Sequence, residues 1–505
     1  MIGAALAAAA VLLHAAAASR YGYFRDELYF IACSKHLTWG YVDQPPLVAL
    51  AAWLSAPADY HLLALRALPI FAAALTTYLA ANLARELGGG RFAQSLAGAA
   101  TLLTPAYLLL GNTLTTTSFE PLSWTLATYA AVRIVRAGGG LWWTALAGSV
   151  AFAAYGKYSI VLQVAGLALG LLVTRQRRAL ASWWPAYAAV LTLILLGPNL
   201  AWQGAHGWPI FTVLQGDAAH RPGLRNGIVL ESADLARNAV AFLIEQLVYT
   251  NPLAVPVWLM GILAPFRIGA LRDLRFVSIA YAFVFAVAVV LGAKGYYVVG
   301  TYAALFAIGA VAVERWARPL RAATFAALAG VGIAALPLSL PLISPSGLIA
   351  YSRIAGLTGR GGTPPHLIQP IFAEEFGWER LARDVSAVYY ALPARTRAAT
   401  AVYADTYGDA AALDFFGPRY GLPPAISSQN AYYLWGTRGY DGRVLIAVGA
   451  THIDRLRRYY RSVSLVRTSN EPLKWVVEGP APIYLCRDPV APLLQIWPRL
   501  RWYGA

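Results

Sequence analysis

From residue 2 to about 343 the chain is a run of long apolar stretches separated by short polar or arginine-bearing turns. A membrane-spanning helix needs about 20 mostly apolar residues. Windows of that kind fall at 2–19, 61–84, 93–111, 119–136, 141–155, 158–174, 182–201, 238–265, 276–292, 296–313 and 322–343, which predicts eleven spans. The stretch 141–174 holds 34 residues, about 51 Å as one helix at roughly 1.5 Å per residue. That is too long for one crossing, so a turn is predicted at Tyr155-Gly156-Lys157-Tyr158. After about 344 the pattern changes: charges, Tyr and Pro return, and apolar runs shorten to strand length. Ala399–Ala404, Val444–Gly449, Val463–Arg467 and Ile483–Cys486 read as strands, with helices at Ala373–Leu392 and Ile453–Tyr460. The expected architecture is an α-helical polytopic membrane domain over 1–343 and a small α/β domain over 344–505. The second domain is expected to fold independently, with Leu-Leu-Gln-Ile-Trp at 493–497 packing back on the bilayer face.

Composition adds the solvent. Apolar types make up 58% of the chain and charged types 13%, against about 25% charged in a soluble domain. With a mean hydropathy of +0.53, the bilayer must surround most of the molecule. The excess of 40 Lys and Arg over 24 Asp and Glu gives +16. Its placement points to cytoplasmic loops and away from nucleic acid. Arg85 and Arg91, Arg133 and Arg136, Arg175, Arg177 and Arg178, Arg267, Arg272 and Arg275, then Arg315, Arg318 and Arg321 occupy alternate short loops. Such loops stay inside. A plasma (inner) membrane protein with an inner N-terminus and an extracytoplasmic C-terminal domain is expected. Residues 2–19 also resemble a signal peptide, with small residues at Ala15–Ser19, but lack a positive start. Two cysteines, Cys33 and Cys486, exclude a disulfide framework and a Cys-rich zinc site.

With this topology the polar residues collect at one membrane face. The long first outer loop, 20–60, reads Arg20-Tyr-Gly-Tyr-Phe-Arg25-Asp26-Glu27-Leu-Tyr-Phe and then Trp39-Gly-Tyr-Val-Asp43-Gln44-Pro45-Pro46-Leu47. Helical spacing of Leu28, Ile31, Ala32 and Leu37 predicts an amphipathic helix lying along the interface, with Asp26 and Glu27 at its start. Acids there can simply favour a helix N-terminus. Glu120 opens the fourth span, Lys157 falls in the turn between the fifth and sixth, and Lys294 ends the ninth. Arg66 sits near the outer end of the second span. Lysines and arginines at such depths can snorkel to water, yet ionisable groups in membranes usually face a cavity or a partner. Two acids and two bases at one face suggest a site that handles an anion and a proton.

These residues resemble glycosyltransferase family 39, which includes the protein O-mannosyltransferases and the lipid A aminoarabinose transferase. The resemblance is carried by Phe24-Arg-Asp26-Glu27-Leu-Tyr-Phe, Asp43-Gln-Pro-Pro-Leu47, Asn112–Leu122, Gly156-Lys157-Tyr158, Pro198-Asn199-Leu-Ala-Trp202-Gln203, His206-Gly-Trp208-Pro209 and Lys294-Gly-Tyr-Tyr297. It continues through Tyr407-Gly408, Asp414-Phe-Phe-Gly417 and Ile483-Tyr-Leu-Cys486-Arg487, covering nearly the whole chain. The resemblance implies a GT-C membrane fold that transfers sugar from a polyprenyl phosphate, with inversion, outside the cytoplasm. The family's catalytic aspartate matches Asp26 and its second acidic position matches Glu120; Glu27, beside the first, is a further catalytic candidate. Where the aminoarabinose transferase has a phosphate-binding lysine and the mannosyltransferases a histidine, this chain has Gln44. An amide can hydrogen-bond phosphate but cannot neutralise it, so Arg20, Arg25, Lys157 or Lys294 must supply the charge.

The expected activity is therefore an inverting sugar transfer from a polyprenyl-phosphate donor to a lipid, glycan or protein acceptor. Asp26 would be the general base and the cations would stabilise the leaving phosphate. Asp43, Tyr296 and Tyr297 are candidates for holding acceptor or sugar. The outer domain would hold the acceptor without contributing catalytic residues. No spaced ligand set argues for a divalent metal, although the acids could recruit one. A transporter or a lipid-handling protein with structural charges is the alternative; transporters usually carry internal repeats, and no such repeat is evident in the sequence.

Overall fold

Each of the eleven apolar windows contains a helix in the computed structural model, which describes residues 1–219, 232–356, 370–449, 453–474 and 480–504. Ala505 lies outside the described residues. The chain begins with α1 (Ile2–Ala17), α2 (Arg25–Ser34) and α3 (Leu47–Leu54), followed by α4 (Leu62–Glu86), α5 (Arg91–Leu102), α6 (Pro105–Gly111) and α7 (Glu120–Ala137). Next come α8 (Gly140–Gly156), α9 (Ile160–Leu172), α10 (Trp184–Ala205), α11 (Pro209–Ala219), α12 (Ser232–Thr250) and α13 (Val255–Arg267). The bundle closes with α14 (Arg275–Val290), α15 (Tyr302–Val313) and α16 (Arg318–Ser339). Among the described residues five helices are long and apolar enough to cross a membrane, or up to seven if each bent pair counts as one. The helix α15 sits at the centre, with every residue buried.

The 141–174 stretch breaks where predicted, between Gly156 and Ile160. Two departures from the simple window reading have local causes. The 93–111 window is bent by 62° between α5 and α6, where Pro105 removes a helical donor and restricts Thr104. The 238–265 window is not one straight span: α12 and α13 meet at 95°. There Asn251 adopts φ 72° just before Pro252. Its side chain accepts from Leu253 N (3.1 Å) and donates to the Leu328 carbonyl (3.0 Å).

The arginine-bearing turns gather at one end of the bundle. Arg133 reaches Glu86 at 2.9 Å, Arg136 reaches Asp273 at 2.7 Å, and Glu314 accepts from the Gly90 backbone at 2.7 Å. The first loop and the C-terminal region lie at the other end.

That region continues with α17 (Pro345–Ile354), α18 (Pro370–Ala373), α19 (Trp378–Tyr390), α20 (Ala394–Ala398), α21 (Tyr407–Phe416), α22 (Asn430–Trp435), α23 (Ile453–Tyr459) and α24 (Leu493–Leu500). Its strands are β1 (Thr400–Ala404), β2 (Ala425–Ile426), β3 (Val444–Val448), β4 (Tyr460–Ser469) and β5 (Ala481–Pro489), in the order β2-β1-β3-β5-β4. The pairs β1–β2 and β1–β3 are parallel, while β3–β5 and β5–β4 are antiparallel. Interior strand β1 is buried throughout, as expected for a strand covered on both faces. The predicted helix 373–392 is interrupted at residues 374–377, where Gly377 takes φ 89°.

Two expectations about packing are corrected. The 493–497 segment turns its apolar face to the sheet: Leu493, Ile496 and Trp497 are buried against Ala401, Leu445 and Cys486, not laid on the bilayer. The helix α2 is not a half-submerged interfacial helix either, since every residue from Glu27 to Ser34 is buried. Leu28 to Cys33 join one hydrophobic core with Ala72 and Leu79 of α4 and with Val402, Ala410, Leu413 and Ile446 of the C-terminal region. A core shared across both regions argues against an outer domain that folds independently, because removing either part would expose the other's apolar face.

Candidate active site

The start of α2 is fixed by its own acid. Glu27 accepts from the Phe24 backbone N–H at 2.9 Å, satisfying a donor that a helix N-terminus leaves open. This turn projects Asp26 into a cavity of about 140 Å³ lined also by Tyr29, Asp43, Gln44, Thr116, Tyr407 and Asn430. A second cavity of about 440 Å³ shares Asp43 and Thr116 with the first. It carries Lys157, Lys294, Tyr296 and Tyr297 together with apolar walls from α11 and α14. The two spaces therefore meet at Asp43, one acidic and the other cationic and oily.

Asp26 Oδ1 accepts from the Tyr407 hydroxyl at 2.9 Å and from Arg25 Nε at 3.3 Å. Arg25 also lies 3.6 Å from Glu374 and over the Tyr407 ring. Its stem runs against Gly408, where a Cβ would fall 2.6 Å from Arg25 Cγ. Only a glycine lets the two segments approach this closely. Burial holds the Tyr407 phenol well above its ordinary pKa, opposed by Arg25 and reinforced by Asp26. It is thus a permanent donor to the carboxylate.

Asp43 accepts from the Tyr29 hydroxyl at 2.9 Å and from Asn430 Nδ2 at 3.0 Å. Burial pushes its carboxyl up to about 7, with those two hydrogen bonds pulling the other way and nearby Asp26 adding to the rise. In the larger cavity Lys157 donates to Thr117 Oγ1 at 3.0 Å and lies 3.6 Å from Glu120. The ammonium sits 4.3 Å and 5.2 Å from the ring centroids of Tyr297 and Tyr296. Glu120 is buried behind Lys157 and accepts from Ser159. These contacts leave Lys157 held but not sealed, 19% of its side chain being exposed.

The fold brings together most of the residues singled out in the sequence, but not all. Asp26, Asp43 and Gln44 line the smaller cavity, and Asp43, Lys157, Lys294, Tyr296 and Tyr297 the larger. Glu120 backs the larger one through Lys157. Glu27 lines neither cavity. It is fully buried, with its carboxylate held by Arg66 Nε and Nη2 (2.8 Å each), Phe24 N and Leu114 N. Arg66 correspondingly does not snorkel; it has no exposure and also donates to the Ala18 and Gly22 carbonyls and to Glu375. Arg20 lines neither cavity either, since its exposed guanidinium donates to the Ala16 and Leu342 carbonyls. Tyr29, Thr116, Tyr407 and Asn430 were not chosen from the sequence. The motif Tyr407-Gly408 was visible there, but nothing local to it names Asp26 as the partner 381 residues away. The C-terminal region touches the acids directly, through Tyr407 on Asp26 and Asn430 on Asp43. Among the described residues no group of three or more His, Cys, Asp or Glu could hold a metal ion.

Residues 43–202 match the family model for dolichyl-phosphate-mannose-protein mannosyltransferase. No curated protein matches the chain. Among solved structures, ArnT from Cupriavidus metallidurans bound to undecaprenyl phosphate is similar, with a TM-score of 0.63 at 14% identity over 95% of this chain and 97% of that one. The same protein in its apo state gives 0.60 at 14% identity, with the same coverage. Over residues 43–202 the chain is similar in sequence to that mannosyltransferase family, and over nearly its whole length it is similar in fold to ArnT, with the many apolar helices of a multi-pass membrane protein and a small C-terminal sheet.

Proposed function

We propose that the protein is an inverting glycosyltransferase that moves a sugar from a polyprenyl-phosphate donor to an acceptor hydroxyl on the extracytoplasmic face of the plasma membrane. The observation that carries this reading is the junction at Asp43. There a small acidic cavity holding Asp26 opens beside a larger one that pairs two lysines with apolar walls. A phosphate on a long hydrocarbon tail needs both features of the larger space: cations for the head and apolar surface for the chain. The undecaprenyl phosphate bound by the similar ArnT supports the same ligand class here.

Chemically, Asp26 takes the proton of the acceptor hydroxyl as its oxygen attacks the anomeric carbon from the side opposite the phosphate. The bond from that carbon to the phosphate oxygen breaks, and the configuration inverts. Charge grows on the leaving phosphate, where Lys157 and Lys294 meet it. Tyr407 and Arg25 orient the Asp26 carboxylate, leaving Oδ2 for the incoming proton. Glu120 holds Lys157, and Gln44 offers an amide to the sugar or phosphate. Asp43, Tyr296 and Tyr297 bound the space where the sugar ring would lie. In this reading residues 1–343 form the transmembrane domain, and residues 344–505 close the site from outside. The test is transfer by purified full-length protein in lipid, given a labelled polyprenyl-phosphate sugar and a panel of lipid, glycan and peptide acceptors. Release of free polyprenyl phosphate without any labelled product would sink the reading.

A further inference from the structure

The Arg66 node holds one cation between two acids. Its guanidinium forms a two-pronged pair with Glu27, Nε to Oε1 and Nη2 to Oε2, both at 2.8 Å. The contact to Glu375 is single and longer, 3.3 Å from Nη2 to Oε2. All three side chains have no solvent exposure. Glu375 Oε1 has no hydrogen-bond partner among the described residues. A fork this short uses the guanidinium charge on Glu27. An ionised Glu375 would then be a second negative charge, buried and without a cation of its own. Such a group takes up a proton rather than bear the desolvation.

We propose that Glu375 is a positioning residue for the proposed transfer, acting as a neutral carboxylic acid that ties the outer region to the loop carrying Asp26. The inference rests on the functional reading above. Its route to the reacting centre is short. Arg66 gathers the Ala18 and Gly22 carbonyls, Glu27 and Glu375 at one point. At Gly22 the two segments cross so closely that any Cβ would collide with the Glu375 carbonyl oxygen. One residue before Glu27, Asp26 receives Tyr407 from the same outer region, and one residue before Glu375, Glu374 faces Arg25. Residues 374–375 and 25–27 are thereby interleaved, and the Tyr407–Asp26 contact depends on their staying in register.

The groups facing Glu375 agree with a neutral state. Arg66 comes from α4, Glu27 from α2, and the Tyr21 phenol from the turn after α1, donating to the Ile343 carbonyl at 2.9 Å. Lys474 is directed to Asp409 at 3.7 Å and to the Trp378 ring, not to Glu375. Burial pushes the Glu375 carboxyl up to about 8, with Glu27 adding to the rise and Arg66 opposing it. The sign follows. An acid whose pKa rises on folding stabilises the fold at low pH, and that contribution is lost as pH climbs towards the folded value. The tie is intact at neutral pH and loosens above about pH 8.

The experiment compares full-length wild type, Glu375→Gln and Glu375→Ala in lipid. Glu375→Ala should lower turnover about 5- to 100-fold, the range for losing one buried hydrogen-bonding partner. Glu375→Gln, which mimics the protonated acid, should rescue that loss and should also hold its turnover above pH 8, where wild type declines. The difference infrared spectrum of wild type minus Glu375→Gln at neutral pH should show the carbonyl band of a protonated carboxyl. Absence of that band overturns the proposal even if the alanine variant does not fold, and so does an alkaline decline shared equally by wild type and Glu375→Gln. A wild type that transfers no sugar refutes the functional reading instead, and the infrared band still decides the state of Glu375.

Discussion

Replacing Asp26 with asparagine keeps the shape of the side chain and one oxygen for Tyr407 and Arg25 to address. The structure predicts little damage to folding, because Asp26 is partly exposed, at 26% of its side chain, and the α2 start is fixed by Glu27 instead. The amide cannot take a proton, so the loss falls on chemistry. Positioned general-base catalysis is worth about 10²–10⁴-fold, or about 3–5 kcal/mol of barrier. Repulsion between the new amide N–H groups and Arg25 would add to this when the amide oxygen faces the substrate. The assay is single-turnover transfer from a labelled polyprenyl-phosphate sugar, with donor binding measured separately. Turnover should drop by at least about a hundredfold while donor affinity stays close to wild type, since the lysines are in the adjoining cavity. An Asp26→Asn protein with near-normal turnover would falsify the assignment of the base, whatever the fold resembles.

Lys157→Ala and Lys294→Ala should chiefly weaken donor binding, by about 10- to 100-fold each if each ammonium makes a charge-assisted contact, read as KM for the donor; an unchanged KM would remove them from the phosphate site. Arg66→Met should destabilise the protein by about 3–5 kcal/mol, because it leaves Glu27 buried without its cation, and a thermal midpoint equal to wild type would refute the node. Burial pushes the Asp43 carboxyl up to about 7 from an ordinary 3.8, so its contribution to stability fades as pH rises towards 7. Asp43→Asn should therefore gain stability relative to wild type between acid and neutral pH, and parallel melting curves across that range would count against the buried acid. For topology, a cysteine introduced at Arg177 or Arg318 should resist an impermeant thiol reagent applied from outside, whereas one at exposed Arg461 should react. Both native cysteines are buried and give little background.

Much of the architecture was legible because it depends on local apolar length. The windows at 61–84 and 276–292 became α4 and α14 with small shifts at their ends, and Lys157 does mark the break between α8 and α9. Strands β1 and β3 were readable as short β-branched runs for the same reason. The two-residue β2 carries no pattern to read, and α21 and α22 hide their polar anchors among aromatic residues. In the site, Asp26 and Lys157 announced themselves by being ionisable at a membrane face. Tyr407 and Asn430 did not, because a neutral side chain in a soluble-looking region looks the same with or without a distant partner. Arg66 stayed open between snorkelling and a partner for a related reason. Snorkelling and burial in an ion pair share one local sequence, and only the partners, Glu27 39 residues earlier and Glu375 309 residues later, tell them apart.

The core shared between α2 and the outer region also sets an order of events during synthesis. The Tyr407 hydroxyl that meets Asp26 belongs to a residue translated 381 positions later. At roughly 5–20 residues per second this is a delay of roughly 20–80 s. Throughout that interval the spans are being inserted while Leu28 to Cys33 have no outer-region partner to bury them. The first loop is therefore assembled last although it is made first. Chains that stop short of α21 leave the ribosome with this apolar helix exposed, which makes them natural targets for membrane quality control rather than partly active enzymes.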